Sequence, residues 1–105
     1  MSERNYPLIM IDRSKHPTYP HDYIICLDSE VGFVAKVILL NDNEAIETFT
    51  AIINETGFQP HLIRLKQGTI SLIIEDFLHP FEKTADNINR VNTLIKKCMK
   101  KYHHA

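Results

Sequence analysis

The segment Phe33-Val-Ala-Lys-Val-Ile-Leu-Leu40 constrains the fold of this chain most strongly, because seven of its eight residues are apolar. It is far shorter than the roughly 20 residues that a membrane-spanning helix needs. Near-continuous hydrophobicity over this length is typical of a strand inside a sheet that is covered on at least one face. We therefore predict a central strand here.

Two short apolar segments, 6–12 and 23–28, precede the central strand and predict two more strands. Asp28, Ser29 and Gly32 are turn-forming residues between the second of these segments and the central strand. This arrangement predicts that the two strands form a hairpin.

A second hairpin is predicted farther along the chain, where segments 61–66 and 69–75 flank a Gln-Gly dipeptide. If Leu65 faces Ile70 and Ile63 faces Leu72, one face of this hairpin is apolar and the other mostly polar. That separation is what a half-buried antiparallel pair requires.

Two amphipathic helices complete the predicted elements. The first has candidate N-caps at Asn41, Asp42 and Asn43, and it has Gly57 at the position of a left-handed C-terminal residue. The second covers about 81–102, and apolar residues recur along it at steps of three and four. Its apolar face fits either a sheet or a partner helix, and we favour the sheet because the face is only about two heptads long.

The resulting order, β-β-β-α-β-β-α, predicts an α+β fold: a single two-layer sandwich of a mostly antiparallel five-stranded sheet with both helices on one face. A chain of 105 residues is the size of one domain. We expect residues 1–105 to form one globular unit, with a frayed tail at 103–105.

The overall composition favours a cytoplasmic protein that is not associated with a membrane. The N-terminus lacks an apolar signal core, and the net charge is −1. Cys26 and Cys98 are therefore expected to be reduced and buried.

Recognisable catalytic and metal-binding motifs are absent from the sequence. Four histidines adjoin prolines, but their spacing does not match that of zinc ligands; they are His16, His21, His61 and His79. We expect no enzymatic activity, no metal and no cofactor. A small metal-dependent hydrolase that uses these loop histidines together with Asp22 remains an alternative.

Charge is distributed unevenly along the chain. Segment 22–58 contains seven acidic residues and one base, Lys36, whereas segment 87–105 contains five bases and no acid. An acidic surface on a small domain suits the capture of a basic protein. A second alternative is a nucleic-acid-binding protein that uses the basic helix, with Lys96, Lys97, Lys100 and Lys101.

We therefore expect a small protein-binding module that inhibits a basic partner, such as a nuclease toxin. Immunity and antitoxin proteins have this size and charge, which is an analogy and not a sequence resemblance. The expected contact residues are acidic, together with one tyrosine in the proline-rich loop 14–22: Asp22, Asp28, Glu30, Asp42, Glu44, Glu47 and Tyr19. The sequence leaves the oligomeric state open.

Overall fold

Seven elements follow one another in the predicted order in the computed structural model, which describes residues 7–13, 17–18 and 20–104. They are β1 (Leu8–Asp12), β2 (Tyr23–Leu27), β3 (Gly32–Leu40), α1 (Asn43–Thr56), β4 (Ile63–Leu65), β5 (Gly68–Phe77) and α2 (Ala85–His104). The strands form one antiparallel sheet in the order β1-β2-β3-β5-β4. The predicted α+β fold is confirmed.

The apolar run identified in the sequence is the central strand β3. It lies between β2 and β5 and pairs with both, so its backbone groups are satisfied on both sides. The predicted hairpin of β2 and β3 is also confirmed, and its turn is closed by a hydrogen bond of 2.8 Å from the Asp28 amide to the Val31 carbonyl.

The hairpin of β4 and β5 has a different register from the prediction. Leu65 lies opposite Gly68 and Ile63 lies opposite Ile70, so the pairing is shifted by two residues. Gly68 has a φ of +148°, and a Cβ atom there would lie 2.9 Å from the Leu40 carbonyl oxygen. The glycine is thus required where β5 approaches the end of β3. A shift of two residues keeps each side chain on its predicted face.

Helix α1 begins and ends as its sequence predicts. Asp42 is the N-cap, and its Oδ1 accepts a hydrogen bond of 2.8 Å from the Ala45 amide. Gly57 follows the helix in the left-handed region, with a φ of 90°. These local signals set the length of the helix without help from the rest of the fold.

Helix α2 packs against the sheet, as expected, and covers the main core. Its buried side chains include Val91, Leu94 and Ile95, and they join one cluster with strand residues such as Ile24 and Phe33. Cys26 and Cys98 are free and buried in the same cluster. The helix continues through His104, and the expected fraying of the tail stays a prediction. Residue 105 lies outside the described residues.

Helix α1 does not share this face of the sheet, in contrast to the expected placement of both helices on one side. Phe49 and Ile53 of α1 pack in a second cluster with Leu40, Ile38 and Ile73. Because side chains alternate along a strand, Ile38 and Leu40 point away from the face on which Ala35 and Val37 contact the main core. The order of the elements is unaffected, but α1 lies on the opposite side of the sheet from α2.

Within the described residues, no helix is long and apolar enough to span a membrane.

Candidate protein-binding surface

Two of the acidic residues expected on the surface are buried and paired inside the molecule. Asp28 is 7% exposed, and Arg90 of α2 donates hydrogen bonds of 2.8 and 2.6 Å to its two carboxylate oxygens. These hydrogen bonds from the guanidinium hold the pKa of Asp28 below its ordinary value and raise the pKa of Arg90. Asp28 is therefore not available to a partner.

Asp22 is the second buried acid, with an exposed fraction of 5%. Its Oδ2 accepts a hydrogen bond of 2.5 Å from the Tyr102 hydroxyl and lies 3.7 Å from Nη1 of Arg13. Burial, followed by this hydrogen bond, raises the pKa of Tyr102. Asp22 thus joins the end of α2 to the strand layer, and it does not belong to an exposed acidic surface.

The remaining acidic residues separate into two locations. Glu30 is exposed in the turn before β3, whereas Asp42, Glu44 and Glu47 are exposed around the start of α1, after β3. The nine residues of β3 lie between them and span roughly 26 Å. The six predicted acids therefore do not form one surface.

The acidic residues at α1 do form a local group. Residues 37–63 include four acids and no lysine or arginine, and all four acids are exposed: Asp42, Glu44, Glu47 and Glu55. Ile52 lies on the same helix and is 50% exposed. Helix α1 thus carries only acidic charges, whereas the exposed bases Arg64 and Lys66 lie beside its N-cap, Asp42.

An apolar area on the sheet, which the sequence reading missed, lies on the same side as α1. Leu8 and Met10 of β1 are 38% and 50% exposed. Leu8 pairs with Leu27 of β2, and Met10 pairs with Ile25. We call this area the open sheet face and define it by Leu8, Met10, Ile25, Leu27 and Val34.

Residue alternation places the open sheet face opposite the main core. Ile24 and Cys26 of β2 are buried under α2, whereas Ile25 and Leu27 point the other way and are half-buried. Helix α1 covers only the part of that side near Ile38 and Ile73. The apolar runs of the sequence predict strands with two apolar faces. They could not reveal which part of the second face α1 leaves uncovered.

The open sheet face has no unpaired base on the described residues of β1, β2 and β3. Among the described residues of β1, β2 and β3, the only base on this side is Lys36, and its Nζ lies 3.2 Å from Oε1 of Glu75. That ion pair leaves no free positive charge on these strands.

The histidines do not form a metal site in the described part of the chain. His21 and His79 are exposed, and His61 is half-buried, with a pKa lowered mainly by burial. No group of three or more His, Cys, Asp or Glu side chains within the described ranges is placed to hold a metal ion. His16 and Tyr19 lie outside those ranges, so their expected roles stay predictions.

The basic residues of α2 are exposed on the opposite side of the molecule. Lys96, Lys97 and Lys100 extend into solvent, whereas Nζ of Lys101 donates a hydrogen bond of 2.9 Å to the Ile9 carbonyl. Lys101 thus protects the edge strand β1, which reduces the number of bases free to contact phosphate.

No protein-family model matches this chain, and no curated protein or solved structure is significantly similar to it.

Proposed function

We propose that this protein is a small protein-binding module that binds and inhibits a basic partner. The observation that supports the proposal most directly is the open sheet face, which lies on the same side of the sheet as the acidic helix α1. Contiguous exposed apolar side chains often mark protein interfaces. Acidic residues on the same side favour a basic partner and accelerate its association.

The proposed contact surface differs from the one expected from sequence. It retains Asp42, Glu44 and Glu47, and it adds the residues of the open sheet face. Asp22 and Asp28 are excluded because both are buried with partners inside the chain. The apolar part of this surface lies toward the start of β3 and its acidic part beyond the end of β3, so we propose a partner large enough to contact both.

A second copy of this chain fits the surface less well. In a twofold dimer the same area of each subunit meets the other. The charged residues of α1 and its N-cap are all acidic and exposed, which disfavours an interface in which two copies of this helix meet. We therefore propose a heterologous, basic partner such as a toxin nuclease, and a cytoplasmic location, where buried free thiols such as Cys26 and Cys98 are common.

Site-specific photo-crosslinking in the native cell tests this proposal. A benzophenone amino acid replaces Met10 on the open sheet face, and Thr93, exposed on α2, is the matched control position. We expect a discrete crosslink to one basic protein from position 10 and none from position 93. The pair Glu44→Lys and Glu47→Lys should weaken that crosslink, because it reverses the charge of the acidic part of the surface.

Three results would contradict the proposal. They are the absence of any adduct from position 10, the same adduct from both positions, and an adduct with the mass of two copies of this chain. A crosslink to nucleic acid from position 93 would instead favour the alternative that uses the basic helix.

A further inference from the structure

A pocket on the α2 side of the sheet lies apart from the proposed contact surface. Its volume is about 420 Å³, and it lies between the ends of β3 and β4, the start of β5 and the end of α2. That volume is in the range of small-molecule sites, which are roughly 300–1,000 Å³. Apolar side chains form much of its wall, among them Val37, Leu65 and Ile70.

Asp22 contributes the charged group of this pocket. The residue is 5% exposed, and its Oδ1 is buried with no hydrogen-bond partner among the described residues. A buried carboxylate oxygen without a donor is costly, and such atoms in native proteins usually have a functional or solvent explanation. The other oxygen, Oδ2, accepts the hydrogen bond of the Tyr102 hydroxyl, which also lines the pocket.

Among the described bases, Arg13 forms the ion pair with this carboxylate, and it does so at the long distance of 3.7 Å. The described residues that line the pocket include no lysine or arginine. Arg13 lies 3.7 Å from Oδ2, but its guanidinium is held over the Tyr102 ring at 4.3 Å and donates a hydrogen bond of 3.0 Å to the Tyr102 carbonyl. The pocket thus combines apolar and polar side chains with a buried carboxylate, one oxygen of which has no hydrogen bond among the described residues.

We propose that this pocket binds a small molecule with a primary ammonium group on a short apolar chain. The ammonium would donate to Oδ1 of Asp22, and the chain would contact Val37, Leu65 and Ile70. Oδ1 is closed off from solvent, so this hydrogen bond requires the pocket wall around Asp22 to open when the ligand binds. An anionic ligand is disfavoured, because it would lie against a buried carboxylate.

Titration of the 15N-labelled protein with n-hexylammonium, followed by NMR, tests the proposal. We expect saturable shifts of the amide signals of Val37, Leu65 and Ile70 at millimolar ligand. Hexanoate and 1-hexanol, which have the same chain, should bind at least about tenfold more weakly, because a charged hydrogen bond is lost. Asp22→Asn should weaken n-hexylammonium binding by a similar factor, whereas Glu82→Gln, an exposed acid elsewhere, should leave it unchanged.

A second variant keeps the test decisive if Asp22→Asn does not fold. Leu39 is 46% exposed at the pocket, so Leu39→Trp should fill the space without touching Asp22 and should abolish the shifts. The proposal is overturned if n-hexylammonium causes no saturable shift, if folded Asp22→Asn binds as well as the wild type, or if 1-hexanol binds equally well. None of these results bears on the open sheet face.

Discussion

Arg90 donates two hydrogen bonds to Asp28, from Nε to Oδ2 at 2.8 Å and from Nη2 to Oδ1 at 2.6 Å. The Asp28 side chain is completely buried, whereas that of Arg90 is 38% exposed. The two residues are 62 positions apart in the chain, so the pair ties the turn between β2 and β3 to the first half of α2. It therefore helps to hold α2 over the core.

Loss of the arginine should destabilise the fold. We expect Arg90→Ala to reduce the free energy of unfolding by about 2 kcal/mol, because it leaves a buried carboxylate without compensation. The partial exposure of Arg90 keeps this below the cost for a fully buried pair. Urea unfolding measures the change, and Lys100→Ala, exposed on the same helix, should cost less than about 0.5 kcal/mol. Equal losses in the two variants would contradict a stabilising role for the pair.

The same pair should make stability depend on pH in the acid range. Arg90 lowers the pKa of Asp28 below its ordinary value of 3.8. The stabilisation is therefore present above pH 3.8 and is lost as the pH falls through the lower pKa of the folded protein. We expect the free energy of unfolding to fall more steeply in wild type than in Asp28→Asn between about pH 5 and pH 2.

Comparing the pH profiles of wild type and Asp28→Asn separates the effect of Asp28 from that of His61. The pKa of His61 is also lowered, mainly by burial. Protonation of His61 acts in both proteins as the pH falls below 6.5 and therefore cancels in the comparison. Parallel pH profiles for wild type and Asp28→Asn would rule out the proposed linkage.

Gly68 should tolerate substitution less well than Gly57. A Cβ at Gly68 would lie 2.9 Å from the backbone oxygen of Leu40, which cannot move without disturbing β3. At Gly57 the nearest atom is the flexible Lys83 Cε, at 3.2 Å. We expect Gly68→Ala to cost more than about 2 kcal/mol and Gly57→Ala about 1 kcal/mol. Thermal unfolding of both variants gives the order, and the reverse order would refute this explanation.

The open sheet face should contribute little to stability compared with the core. Leu94 is 0% exposed and Met10 is 50% exposed. We expect Leu94→Ala to lower the free energy of unfolding by about 3 kcal/mol through loss of burial and creation of a cavity. Met10→Gln should cost less than about 1 kcal/mol, because half of the side chain already contacts solvent. Chemical denaturation measures both changes. A large loss of unfolding free energy in Met10→Gln would show that Met10 stabilises the fold, contrary to its proposed place in a partner-binding surface.

The sequence by itself determined the features that depend on neighbouring residues. Helix α1 has its cap at Asp42 and its end at Gly57, and both act through the backbone within a few positions. The alternation and length of the apolar runs likewise predicted the strands, their order and the central place of β3. These features depend on backbone geometry within a few residues, so they can be predicted from the sequence without knowing which elements pack together.

The tertiary structure alone decided which charges remain available and which apolar residues remain uncovered. Asp28 accepts a hydrogen bond from Arg90, 62 positions away, and Asp22 accepts one from Tyr102, 80 positions away. Two acids that the sequence predicted on the surface are therefore buried and connect distant elements. The close approach of Gly68 to Leu40 set the register of the last hairpin. These outcomes depend on contacts between elements that are distant in the chain. The sequence pattern of a strand does not decide them, because a helix can cover either face of the sheet that the strand forms.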